Sequence, residues 1–101
     1  MTDKPNETKM LSAAEILDGV KEVLSEREKN YDNPKPNFDR IAAYWNIFLE
    51  GKLTTPLTAL DVAMLMILMK VAREQFSHKD DNLYDTIGYA VCGIRIANID
   101  E

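Results

Sequence analysis

The chain has 101 residues, a net charge of −5 and 46% hydrophobic composition, enough for one globular domain. Its acidity argues against nucleic acid as a partner, because backbone binding calls for a basic face. One cysteine and one histidine exclude an internal disulfide and the nitrogen–sulfur ligand sets of zinc sites, so a metal here would be magnesium or manganese on carboxylates.

The opening MTDKPNETKM is polar, unlike a secretory leader. The longest apolar run, Val62 to Met69, is too short to cross a bilayer. These features predict a protein of a reducing compartment, with no membrane partner. Residues 1–10 read as a flexible arm and 11–101 as a single helical domain. Ser12 begins a capping box, SAAE, with Glu15 three residues on. Ala13, Ile16, Leu17, Val20, Val23 and Leu24 follow with helical spacing, predicting a first helix over Ser12–Lys29. The acids Glu15, Asp18, Glu22 and Glu26 on its other face read as a solvated surface.

NYDNPKPN, with two prolines and three asparagines, reads as a loop. Asn37 would cap a second helix, FDRIAAYWNIFLE, with Phe38, Ile41, Ala42, Trp45, Phe48 and Leu49 as its buried stripe and Gly51 ending it. Thr58 and Asp61 form another capping box, opening a third helix that runs to Phe76. Met64 to Met69 is uninterrupted apolar sequence, which leaves that helix no solvated face in its middle. A chain of this size hardly surrounds one helix alone, so the pattern predicts an oligomer. Asp80 or Asp81 would cap a fourth helix ending at Ala97. No strand pattern competes, and the expected fold is all-α, a small four-helix bundle in a homo-oligomer.

On the fourth helix, Leu83, Ile87, Ala90, Val91, Ile94 and Ala97 share an apolar face at 100° per residue. Opposite lie Asp81, Tyr84, Asp85, Gly88, Cys92 and Arg95, with Tyr89 beside Asp85. Asp81 and Asp85 are four apart and repel unless a cation sits between them. Lys70 and Arg73, near the end of the third helix, could supply it. The plain structural reading is that these cations favour one helix end and the acids the next helix start. The functional reading starts from Lys70, which follows six apolar residues and needs a partner if half-buried: Asp85 or a ligand phosphate. Gly88, mid-helix, costs about 1 kcal/mol relative to alanine; close approach of another helix is the favoured explanation. His78, in the connection between the third and fourth helices, reads as a solvated loop residue, with a ligand role as the lesser alternative. Tyr31, Tyr44, Tyr84 and Tyr89 could stack a base or sit at an interface.

Three blocks, NYDNPKPNFDRIAAYW, TALDVAMLMILMKVAR and HKDDNLYDTIGYA, resemble a family of small phage and prophage all-helical proteins of unassigned function. The likeness covers residues 27–95. That family carries a Tyr-Gly turn, Asn-Phe-x-Arg-Ile, a Lys-x-x-Arg helix and Asp-x-x-x-Asp-x-x-Gly-Tyr-Ala; here Asp32 stands at the glycine of the turn. The resemblance places its polar signature on Tyr31, Asn37, Arg40, Asp61, Lys70, Arg73, Asp81, Asp85 and Tyr89. More distantly, the chain is similar to phage nucleotide-modification-associated domains and to MazG-type nucleotide pyrophosphohydrolases. DNLYDTIGYAV resembles the second acidic half of the MazG motif, whereas its Glu-Glu-x-x-Glu half has no match.

The resemblance implies a phage-encoded protein acting in the cytoplasm of an infected bacterium. It would bind a nucleotide-like small molecule, an immune signal for instance, at a subunit-interface pocket, as a sponge without turnover and without a cofactor. Arg40, Lys70 and Arg73 would hold phosphates. Tyr31, Tyr84 or Tyr89 would stack a base, and Asn37, Asp81 and Asp85 would hydrogen-bond base or ribose. The alternatives are a magnesium-dependent pyrophosphohydrolase, with Asp81 and Asp85 as metal ligands, and a protein inhibitor of a host protein.

Overall fold

Ser12 and Glu15 form the expected reciprocal cap. The Ser12 N–H donates to the Glu15 carboxylate at 2.8 Å, and the Glu15 N–H donates to the Ser12 hydroxyl at 3.1 Å. Helix α1 follows as Ala13–Asn30. The computed structural model describes residues 10–30 and 33–98. The expected arm, apart from Met10, lies outside the described residues, as do Tyr31 and Asp32. Of the expected α1 stripe, Val20 is buried while Leu17 and Val23 face out.

Helix α2, Pro34–Phe48, starts three residues before the expected cap. Asn33 is the cap in place of Asn37: its backbone is extended and its side chain accepts from the Lys35 N–H at 2.9 Å. Pro34 and Pro36 lie in the first turn, where a missing N–H breaks no intrahelical bond. The prolines therefore start this helix and do not precede it. Phe38 and Ala42 are buried, but Phe48 is exposed, with the Lys52 ammonium 5.8 Å from its ring centre. Gly51 adopts φ +81°, a conformation open to glycine at little cost, and turns the chain out of α2.

Asn46 then orders the connection. Its amide donates to the Leu57 carbonyl at 3.1 Å and accepts from the Leu57 N–H at 2.7 Å. Helix α3, Ala59–Phe76, opens on the expected Thr58–Asp61 box. Helix α4 spans Asp80–Ala97. Its cap position is Lys79, without a side-chain cap bond; neither Asp80 nor Asp81 fills that role.

The described residues are thus all-α, four helices with no strand. α3 and α4 form an antiparallel hairpin. α2 packs mainly on α3, and α1 reaches only α4. The core is small: Phe38, Ala42, Ala59, Val62, Ala63 and Ile96, with Val62 fully enclosed.

The expected apolar face of α4 is not its buried face. Leu83, Ala90, Ile94 and Ala97 point to solvent, and Ile87 and Val91 are half-buried. Asn82, Gly93 and Ile96 are buried instead, with Tyr89 and Cys92 packed against the core. Small side chains explain the rotation. A Cβ on Gly93 would stand 3.5 Å from Leu60 and 3.6 Å from Ala63, so this face brings α4 close to α3. Dispersion attraction between closely approaching helices outweighs the bulk of the opposite stripe.

Candidate functional site

The α3–α4 seam carries an ion pair. Lys70 Nζ lies 2.8 Å from Asp85 Oδ2, with the lysine side chain 12% and the aspartate 37% exposed. Of the two partners considered for Lys70, the protein itself supplies Asp85. The broader pairing of Lys70 and Arg73 with Asp81 and Asp85 is not formed. Arg73, on α3, and Asp81, on α4, line different hollows.

Beyond this pair, α1 and α4 enclose a cavity of about 320 Å³. The α4 wall is the face singled out by its polarity: Asp81, Tyr84, Asp85, Gly88, Tyr89 and Cys92. The α1 wall is apolar apart from Glu22, through Gly19, Val20, Val23 and Leu24. The Tyr84 ring comes within van der Waals reach of Gly19, whose absent Cβ would stand 3.5 Å from Cε1. Tyr89 is anchored from behind, its ring 6.4 Å from that of Phe38. Two phenols, three carboxylates and an apolar wall make a pocket suited to a flat ring bearing hydrogen-bond donors.

Gly88 corrects an expectation. Nothing lies within 4 Å of where its Cβ would be, so no helix approaches there. It leaves the cavity open instead. Gly88→Ala is therefore expected to raise stability by about 0.5–1 kcal/mol through helix propensity, read as a higher melting temperature, while narrowing the cavity.

The other candidate residues stand apart. Arg40 donates to the Asn37 side chain at 3.4 Å, and both are exposed on α2. Arg73 borders a shallower hollow of about 610 Å³ with Met69, Phe76, Ser77, Lys79 and Asn82. Tyr31 lies outside the described residues. Among the described residues, no three His, Cys, Asp or Glu side chains are placed to share a metal ion.

Sequence inspection missed the network that sets the α3–α4 turn. Glu74 accepts from the buried Asn82 amide at 3.0 Å and the Lys79 N–H at 3.2 Å, and it pairs with His78. His78 Nε2 also lies 3.0 Å from Asp80 Oδ1. The hydrogen bond and charge of Glu74, aided by Asp80, raise the His78 pKa above 6.5. The His78 and Asn82 bonds hold Glu74 below its ordinary 4.5. The His78 contribution to stability is therefore present below 6.5 and lost as pH rises through its raised pKa. The Glu74 contribution is present above 4.5 and lost as pH falls through its lowered pKa. His78→Ala should lower the melting temperature at about pH 5.5 and leave it nearly unchanged at about pH 9. The signal for this network was a glutamate four residues before a histidine, with an asparagine four beyond it.

The family described as domain of unknown function DUF6378 matches residues 15–97. The chain belongs to that family. The match takes in both walls of the α1–α4 cavity and the whole hairpin. The chain is 40% identical over 83 residues to the Gene 55 protein of Mycobacterium phage D29, covering 80% of this chain and 52% of that protein. It is 36% identical over 77 residues to the Gene 55 protein of Mycobacterium phage L5, covering 74% and 47%. This DUF6378 chain thus spans about half the length of the curated relatives it matches. The resemblance to small phage proteins stands on these matches. No solved structure matches the chain. Among the described residues, no helix is long and apolar enough to cross a membrane.

Proposed function

We propose that this chain binds a small nucleotide-like molecule in the α1–α4 cavity and holds it without turnover. The observation that carries this reading is the joint placement of Tyr84, Tyr89, Asp81 and Asp85 on one wall of a 320 Å³ cavity. A nucleobase stacks on a tyrosine, and its exocyclic amine or the ribose hydroxyls donate to the carboxylates. Glu22 and Asp81 repel phosphates from the interior, so the phosphate chain points outward. Arg40 and Arg73, which stand away from this cavity, are not needed for this reading. With phage relatives, the fitting role is sequestration of a nucleotide signal in the cytoplasm of an infected bacterium.

Catalysis is the second reading: Glu22, Asp81 and Asp85 line the same cavity, although the three are not placed to share one ion. A MazG-like pyrophosphohydrolase would hold magnesium on Asp81 and Asp85. Asp85 would have to exchange Lys70 for the metal, which argues for binding over turnover.

Native mass spectrometry of gently purified protein, followed by denaturation, tests both. A nucleotide released in stoichiometric amount, intact after incubation with magnesium and weakened in binding by Gly88→Ala, is the expected result. Cleavage of that nucleotide would establish the catalytic reading instead. A protein that stays empty against a nucleotide panel would overturn both and favour an inhibitor of a host protein.

A further inference from the structure

Among the described residues, the α3–α4 hairpin is covered on one side only. Its seam is marked by Lys70 with Asp85, Glu74 with Asn82, and Ala63 beside Gly93. α2 lies along one side of that seam, where Phe38 meets Tyr89. About a quarter turn past the seam on the other side stand Leu60, Met64 and Val71 of α3 and Leu83, Ile87 and Ile94 of α4. Because the helices run antiparallel, these positions make one apolar strip along the hairpin, widened by Leu68. Apart from half-buried Ile87, these side chains are exposed, from 40% for Leu60 to 64% for Ile94. Charged residues stand at the ends of the strip, Asp61 at one and Lys79 and Asp80 at the other, with the neutral Gln75 on the α3 side four residues past Val71.

We propose that this strip is a two-fold interface with a second copy of the same chain. Two arguments select that occupant. The first is area. Six large apolar side chains, each 40–64% exposed, lie side by side along the strip. Ile87, Ala90 and Ala97 extend this toward the ~800 Å² per partner of a stable interface. The second is chemistry. The strip has no charged group to recognise a charged ligand, nucleic acid or acidic peptide, its polar member Gln75 being a neutral amide near one end, whereas a second copy brings a surface of the same length and the same lack of charge. Pairing encloses Met64, Leu68 and Ile94, and gives the small monomer core the second layer it lacks. The interface lies across the hairpin from α2 and stands whether or not the α1–α4 cavity holds a nucleotide.

Sedimentation velocity on the full chain at tens of micromolar tests it. The wild type is expected at twice the 11.5 kDa chain mass, or at a higher even multiple. Leu68→Glu and Ile94→Glu should each fall to a lower mass with the helical circular-dichroism signal kept, and Leu17→Glu on α1 should leave the wild-type mass unchanged. A wild type of single-chain mass or an odd multiple overturns the proposal. So does a wild-type mass retained by both strip variants. If the glutamate variants lose their helices, Ala90→Cys in a Cys92→Ala background decides: a bifunctional maleimide joins two copies through position 90, or the interface lies elsewhere.

Discussion

Phe38→Ala should destabilise the chain by about 3–5 kcal/mol, which lowers the melting temperature by roughly 15–30 °C for a domain of this size. Phe38 is 5% exposed and is the largest side chain in the buried cluster. It is also the contact through which α2 reaches Tyr89 of α4. The buried residues around it are three alanines, Val62 and Ile96, side chains held on helices and too short to fill the space left by a phenyl ring. The loss is therefore transfer energy plus a residual cavity, set against a total stability of only ~5–15 kcal/mol. Scanning calorimetry reads it directly. A shift under about 5 °C would mean that α2 is not packed on the hairpin as described.

Asp85→Ala is expected to cost about 2–3 kcal/mol. It strands Lys70, whose side chain is 12% exposed, without its counter-ion. The full penalty for an unpaired buried charge is ~3–5 kcal/mol, but a lysine stem can swing its ammonium toward water and recover part of it. Lys70→Met should cost less, because Asp85, at 37% exposure, remains partly hydrated. The double variant should be less destabilised than the sum of the two by about 1–2 kcal/mol. Additive effects in a chemical-denaturation cycle would show that the pair contributes nothing as a pair. If nucleotide binding is lost in Asp85→Ala and survives in Lys70→Met, the carboxylate and not the ion pair is what the ligand meets.

The local grammar of the chain was legible without coordinates. Ser12 with Glu15 and Thr58 with Asp61 announced two helix starts, because a cap needs only an oxygen at one position and a carboxylate three residues later. Gly51 announced a helix end. The i,i+4 spacing of Asp81 and Asp85 placed both on one face, and both line the cavity. Where the expectations failed, the deciding term was not local. Asn33 and Asn37 are equally good caps in isolation, and the longer helix adds a turn that carries the Lys35–Asp39 pair. Gly88 and Gly93 are the same residue in the same helix. Only the packing of Ala63 against one of them makes it the point of close approach and leaves the other beside a cavity.

The sequence by itself determined the helices, their order and which residues share each face, because capping and 3.6-residue periodicity act within a few residues of one another. The tertiary structure alone decided which face of α4 is buried. It also decided that Lys70 takes Asp85 as its partner, and that Arg40 and Arg73 stand away from the tyrosines and carboxylates they were grouped with. The rotation of each helix about its axis is set by the sum of contacts with helices distant in the chain, and no local pattern encodes that sum.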